Sequence, residues 1–194
     1  MDYGQARQVI EPHEGVIPHM YLDTNGFVTV GIGNMLADDH AACALLFRDV
    51  VSGAEASPQQ ITADFYAVHS QRKGMRAESY RAFTSCELEA PEISRLFRRR
   101  VDEFVAQLRV HYLDFDEYPP SAQLAILDLA WNLGTHALAY KWPRLTAAIR
   151  SQHWAIAAIE CIRPQSSQKR NADTVALFHA ALGESGPVPT SQLS

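Results

Sequence analysis

The chain has 194 residues, of which 47% are hydrophobic and 20% are charged, a composition typical of a globular protein long enough to bury a core. Its formal net charge of −5 argues against a general nucleic-acid binder, since such proteins usually carry a basic surface. No run reaches the roughly 20 apolar residues of a membrane span, and no signal peptide is visible at the N-terminus.

The chain begins with a predicted helix over residues 3–11, whose apolar side chains recur at helical spacing. Pro12 and Gly15 are expected to mark its end. Between them lies Glu14, a carboxylate at the point where the chain leaves the helix.

A β-hairpin is predicted next. Residues 23–26, Asp-Thr-Asn-Gly, give a turn signal between β-forming residues. Residues 27–32 supply the second strand. Gly31 and Gly33 occupy alternate positions along it. Glycine in a strand often allows a ligand or another part of the chain to approach the backbone closely.

Residues 36–86 are harder to interpret. Residues 38–51 are compatible with a helix that turns Ala42, Leu45, Leu46 and Val50 inward. Residues 52–74 are polar and interrupted by glycine and proline, so short helices or loops are expected there.

The second half of the chain predicts several helices. Apolar residues recur three and four apart from Ile93 to Leu108, which indicates an amphipathic helix. Pro119-Pro120-Ser121 opens a helix that is apolar on nearly every side and ends at Gly134, as expected of a central helix. Further helical stretches are expected over residues 145–150, 154–161 and 172–182.

These elements predict an α+β fold in one domain over residues 1–183. A small β-hairpin lobe would occupy residues 1–87, with an insert at 36–87, and a mainly helical lobe residues 88–183. We expect a cleft between the lobes, a common place for ligands. The tail, residues 184–194, is rich in Gly, Pro and Ser and is expected to be flexible.

The sequence contains no pattern typical of a metal or nucleotide site. Cys43, Cys86 and Cys161 lack metal-ligand spacing, and burial as small apolar residues is favoured, although one disulfide remains open. The histidines form no HExxH or cluster. Gly31-Ile32-Gly33 lacks the third glycine of a dinucleotide fingerprint. No metal and no cofactor is therefore expected.

Glu14 and Asp23 are candidates for a pair of catalytic carboxylates. A chain that turns back at the hairpin can bring both to one side of a site, and glycoside hydrolysis requires two carboxyl groups in different environments. Glutamate at a helix end and aspartate in a turn are also common, however. Spacing alone therefore favours a structural role.

The segment containing this pair resembles a known catalytic segment. Its residues are Glu14-Gly15, five residues, and then Met20-Tyr21-Leu22-Asp23-Thr24-Asn25-Gly26-Phe27-Val28-Thr29-Val30-Gly31-Ile32-Gly33. It is similar to that of the phage-type lysozymes, glycoside hydrolase family 24. The resemblance implies a lysozyme-like fold, with Glu14 as general acid, Asp23 as the carboxylate that positions the attacking water, and Thr29 as the second group that holds this water.

Later residues extend the resemblance, which covers roughly residues 3–35 and 88–182. Ala130-Trp131-Asn132-Leu133-Gly134 is similar to the end of the family's central helix, and Lys169-Arg170 to a late helix start. The resemblance implies Met35, Trp131, Asn132 and Arg170 as substrate contacts. Burial in the core remains open for Trp131, and an ion pair for Arg170. Asn34 stands where many members have His.

The function implied is that of a muramidase, which hydrolyses the β-1,4 bond between N-acetylmuramic acid and N-acetylglucosamine in peptidoglycan, with inversion. A lytic transglycosylase is disfavoured because Asp23 and Thr29 are present. An inactive module that binds glycan or a partner is the alternative from another class. The expected partner is peptidoglycan, with an immunity or delivery protein as a further one, no nucleic acid, and a monomeric state.

Two origins are compatible with this function: a phage endolysin or an antibacterial effector delivered into competitors. In either case the protein would be made in the cytoplasm and act on the cell wall in the periplasm, through holin release or a secretion system. The low pI of about 5.9 and the insert slightly favour the effector.

Overall fold

The structure is a computed structural model that describes residues 1–184. The predicted flexible tail lies outside the described residues, except for Glu184, which belongs to the last helix. Helices are α1 Tyr3–Glu14, α2 Asp39–Cys43, α3 Pro58–His69, α4 Ala90–His111, α5 Pro120–Leu133, α6 Thr135–Lys141, α7 Pro143–Arg150, α8 Trp154–Glu160 and α9 Gln168–Glu184, with 3₁₀ turns at Ala77–Phe83 and Phe115–Glu117. Strands are β1 Ile17–Leu22, β2 Val28–Gly31, β3 Asn34–Met35, β4 Phe47–Asp49 and β5 Cys86–Leu88.

Mixed helix and antiparallel sheet confirm the α+β class. The chain divides into two compact units, one formed by residues 14–100 and the other by residues 1–13 together with the chain from Val101 onwards. The first helix thus groups with the later helices rather than with the hairpin, and the boundary falls inside α4. Within residues 1–184, no helix is both long and apolar enough to cross a membrane.

The unit of residues 14–100 contains two small sheets. In the first, β1, β2 and β3 pair antiparallel in chain order, and in the second β4 pairs with β5. Helix α3 packs against β1, and Leu22, Val28 and Val30 are buried. The hairpin predicted around residues 23–26 is confirmed, with strand β2 shorter at both ends than the predicted 27–32.

Helix α1 continues past the end that its proline suggested. Pro12 lies inside the helix, and the helical conformation persists to Glu14. Proline lacks one donor, but a single missing hydrogen bond near the end of a helix can be tolerated. Gly15 has a φ of +73°, the left-handed conformation that ends many helices. The glycine, not the proline, is therefore the end signal.

The prediction for residues 38–51 was wrong beyond Cys43. Helix α2 ends there, and residues 47–49 form β4 because they pair with β5, almost forty residues later in the chain. Ala42 and Leu45 are buried as predicted, whereas Leu46 and Val50 are exposed. A partner that distant gives no local signal, and strand pairing overrode the helical spacing.

The helical unit forms around α5. As predicted, α5 ends at Gly134, and its residues from Leu124 to Ala130 are buried. Helix α9 packs along α5 and against α8, while α7 packs on α8. The predicted helices at 145–150, 154–161 and 172–182 are confirmed with longer or shifted ends, and α6 was not predicted. The seven apolar residues whose spacing predicted α4 are all buried: Ile93, Leu96, Phe97, Val101, Phe104, Val105 and Leu108.

Candidate active site

Glu14 is the last residue of α1 and is partly buried. The left-handed Gly15 turns the chain sharply after it, and β1 begins two residues further on. Glu14 therefore stands at the junction between a helix and a strand.

Asp23 organises the loop that joins β1 to β2. One of its carboxylate oxygens, Oδ1, accepts hydrogen bonds from the backbone N–H groups of Asn25, Gly26 and Phe27, at 2.9, 2.8 and 2.8 Å. Its own N–H donates to the carbonyl of Phe27 at 3.0 Å. In the described part of the chain, Oδ2 accepts no hydrogen bond from a protein group. The loop thus fixes one oxygen and leaves the other for a ligand or water.

Thr29 lies in the middle of a row of three side chains across the sheet. Tyr21 of β1, Thr29 of β2 and Met35 of β3 are directly paired, and paired residues place their side chains on the same face. The buried Thr29 hydroxyl donates to the carbonyl of Phe27 at 3.1 Å. Because its single proton is engaged, the oxygen can still accept a hydrogen bond from water.

Tyr21 connects the two carboxylates electrostatically. Burial, and then the negative charges of Glu14 and Asp23, raise the pKa of Tyr21 to about 12. A charge affects a neighbouring pKa in this way only at short range. Both carboxylates therefore lie within electrostatic range of Tyr21, which pairs with Thr29 across the sheet.

Sequence reasoning treated Tyr21 as a strand residue without a role. Its neutral hydroxyl lies near both proposed catalytic carboxylates, and it can donate a hydrogen bond at any physiological pH. The available signal was its position two residues before Asp23, since alternate residues of a strand share a face.

Gly31 and Gly33 have a different role from the close approach that the sequence suggested. Both have a φ of +68°, and they form the tight turn between β2 and β3. A Cβ at Gly31 would meet only Cγ2 of Ile93 at 3.8 Å, an ordinary contact. Backbone conformation, rather than lack of space, is the reason for glycine at Gly31.

Of the four proposed substrate contacts, three belong to the helical unit: Trp131, Asn132 and Arg170. Met35 lies in the unit of residues 14–100, and half of its surface is exposed. Trp131 is partly exposed near the end of α5, and its ring packs on that of Phe104 at 5.2 Å between centroids. Asn132 is exposed and accepts a hydrogen bond from Ser166 at 2.9 Å. Both retain surface that a ligand can reach.

Arg170 is buried rather than surface-exposed. Its Nε donates to Oδ1 of Asp128 at 2.8 Å, and Arg163 contacts Oδ2 of the same carboxylate at 3.0 Å. Thr174 completes this buried cluster. The ion pair that the sequence left open is therefore present, but in the interior, and this geometry favours a structural role for Arg170.

The three cysteines are unpaired thiols, with Cys86 and Cys161 buried and Cys43 partly exposed. Burial raises the pKa of Cys86 and that of Cys161 to about 11. Among residues 1–184, no group of three or more His, Cys, Asp or Glu side chains has an arrangement that could hold a metal ion.

Two comparisons of this chain with known proteins found no match. No family model matches the chain, and no curated protein matches it at a significant level.

Proposed function

We propose that this protein is a muramidase with a lysozyme-like fold, which hydrolyses the β-1,4 bond between N-acetylmuramic acid and N-acetylglucosamine of peptidoglycan. The observation that carries the proposal is that both Glu14 and Asp23 act electrostatically on the hydroxyl of Tyr21, the residue that pairs with Thr29 across the sheet. A pair of carboxyl groups is the minimum requirement for glycoside hydrolysis. Thr29 beside the Asp23 loop adds a hydroxyl that can hold water.

In the proposed reaction, Glu14 donates a proton to the glycosidic oxygen as the bond to the sugar carbon breaks. The free Oδ2 of Asp23 accepts a proton from a water whose other hydrogen is held by Thr29. This water attacks the anomeric carbon from the face opposite the leaving group, so the configuration inverts. Three backbone N–H groups hold Asp23 in the orientation that this step requires.

The proposed substrate contacts outside this group are Met35, Trp131 and Asn132. Peptidoglycan is the proposed partner, and an immunity or delivery protein is a further one. We propose that the protein acts on the periplasmic wall after holin release or secretion, as an endolysin or as an effector. Trp131 is partly exposed and suits contact with a sugar ring, since aromatic side chains offer apolar area with little loss of conformational freedom.

The test is hydrolysis of purified peptidoglycan by the wild type and by Glu14→Gln. An amide cannot donate the proton, so we expect activity to fall by about 10²–10⁴ with the fold retained. Glu11→Gln is the matched control, because Glu11 lies on the same helix and pairs with Arg7. It should keep its activity.

Turbidity loss and mass spectrometry of the products separate the alternatives. Near-normal lysis by a folded Glu14→Gln protein would overturn the assignment of the acid. A wild type that binds peptidoglycan without releasing fragments would indicate a binding module. Products that have not gained water would indicate a lytic transglycosylase.

A further inference from the structure

The helical unit has a groove at its surface, lined by both apolar and charged side chains, that the proposed reaction does not use. The groove has a volume of about 310 Å³ and lies where the start of α7 meets the end of α8. Trp142, Ile159 and Ile162 supply its apolar walls, and Ile159 is 72% exposed. Ile156 continues the same stripe three residues earlier on α8. We call these four residues the isoleucine groove.

The rim of the isoleucine groove carries two positive charges, Lys141 and Arg144, and one negative charge, Glu160, although the whole chain is acidic. Lys141 and Arg144 are exposed there, and Arg144 has only a contact of 3.9 Å with Glu160. Within residues 1–184, Lys141 forms no ion pair. An occupant that fits would present an aliphatic side chain flanked by carboxylates.

The chain itself carries a surface with this chemistry. In the turn after α4, Leu113 is 88% exposed, the most extreme exposure among the leucines of residues 1–184. Asp114 and Glu117 are exposed beside it and form no ion pair within the described residues, whereas Asp116 is bound by Arg109 at 2.8 Å. We call Leu113, Asp114 and Glu117 the acidic turn.

Helix α7 joins these two surfaces. At its C-terminal end, Nη2 of Arg150 donates to the carbonyl of His111 at 3.2 Å, two residues before Leu113. At its N-terminal end, Pro143 and Arg144 line the groove. The eight residues of α7 span about 12 Å. A two-fold axis perpendicular to α7 at its middle exchanges the two ends of the helix, so it sets the end beside each acidic turn against the end that lines the groove of a second copy.

We propose that two copies of this chain form a two-fold dimer in which Leu113 of each copy enters the isoleucine groove of the other. Asp114 and Glu117 then pair with Lys141 and Arg144 across the interface. Such an isologous contact closes on itself and uses each surface once per copy. This inference is independent of the proposed activity, and it replaces the expectation of a monomer.

Sedimentation velocity over a wide range of protein concentrations tests the dimer. We expect the wild type to dimerise, and Ile159→Glu or Leu113→Glu to raise the dimer dissociation constant about tenfold or more, because each places a charge against an apolar anchor. Val51→Glu is the matched control: Val51 is 95% exposed, but it belongs to the unit of residues 14–100. This variant should dimerise like the wild type.

Mixing two charge-reversed variants tests the reciprocal arrangement. Lys141→Glu/Arg144→Glu reverses the rim and Asp114→Lys/Glu117→Lys reverses the acidic turn, so each variant alone sets like charges against each other, whereas both contacts of the mixed dimer join opposite charges. The mixture should therefore associate more strongly than either variant alone. A monomeric wild type, a dimer that persists in both Ile159→Glu and Leu113→Glu, or a mixture that associates no better than its components would overturn the proposal.

Discussion

Thr29 provides a test of the water-holding role at the level of a single atom. Valine has the same shape and keeps the buried packing, but it lacks the hydroxyl. We expect Thr29→Val to lower the rate of peptidoglycan hydrolysis by about 100-fold, because a misplaced water attacks the anomeric carbon poorly. Initial rates of fragment release measure the effect.

Thr29→Ser is the matched variant for that measurement. Serine retains the hydroxyl that donates to Phe27 and should keep most of the activity. Thermal unfolding of both variants measures how much stability is lost with the hydrogen bond, so that a loss of stability can be distinguished from a loss of catalysis. Full activity in a folded Thr29→Val protein would contradict the water-holding role.

His19 is a second residue whose chemistry gives a measurable consequence. It is buried in β1, and its Nε2 contacts the carbonyl of Ala77 at 3.1 Å. Burial lowers the pKa of His19 below its ordinary value, while the hydrogen bond to Ala77 opposes this effect. Below pH ~6.5 the unfolded chain binds a proton that the folded chain resists, so stability falls as the pH falls.

We therefore expect the free energy of unfolding to decrease as the pH is lowered from about 7 towards 5. His19→Gln retains a donor for Ala77 but does not titrate in this range, and its stability should depend less on pH. Urea denaturation at several pH values measures both proteins. Parallel pH profiles would show that another group controls the acid sensitivity.

At the scale of the elements, the cluster around Asp128 joins α5 to α9. Asp128 is held by Arg163, Arg170 and Thr174, and all four side chains are buried. Asp128→Asn leaves two buried guanidinium groups without a counter-charge. We expect it to reduce the free energy of unfolding by about 3–5 kcal/mol, the usual result of breaking a buried ion pair. Denaturant unfolding monitored by circular dichroism measures the change.

Asp116→Asn is the control for that substitution. It also removes a carboxylate that pairs with an arginine, Arg109, but both groups are at the surface. Exposed pairs contribute little because water screens them. An equal loss of stability in the two variants would mean that burial of Asp128 does not determine its contribution.

Local signals account for which elements the sequence could predict. The spacing of apolar residues was sufficient to predict α4 and α5, and the turn residues were sufficient to predict the hairpin. Over residues 52–74 only short helices or loops were predicted, whereas α3 is a helix of twelve residues whose start signal is in the sequence. Ser57 and Gln60 form a reciprocal capping box, and Pro58 occupies the first turn, where proline favours a helix. Pro58 therefore begins a helix rather than interrupting one.

At the scale of the whole molecule, the stereochemistry of the product tests the assembled site. A water held by Asp23 and Thr29 attacks opposite the leaving group, and inverting enzymes keep their carboxyl groups roughly 6.5–9.5 Å apart to accommodate it. We expect the α-anomer to form first, as seen by NMR of early products. A β-anomer first would mean that Asp23 acts as a nucleophile.

Distance along the chain separates the site residues that could be predicted from those that could not. Glu14, Asp23 and Thr29 fall within sixteen residues, so one local pattern contains all three. Arg170 is different, because its environment is set by Asp128, 42 positions earlier. The sequence shows the charge of Arg170, but only the packing of α5 against α9 shows that it is buried.

The hairpin loop has a consequence for how chains of this kind can diverge. Asp23 makes the bonds that shape its own loop, and asparagine can accept the same three N–H groups. A descendant that lost activity would still be selected to keep Asp or Asn there, for folding alone. An aspartate at the corresponding position of a related chain is therefore only weak evidence of catalysis. Replacement of Glu14, the proposed general acid, would be the clearer sign that such a chain does not hydrolyse its ligand.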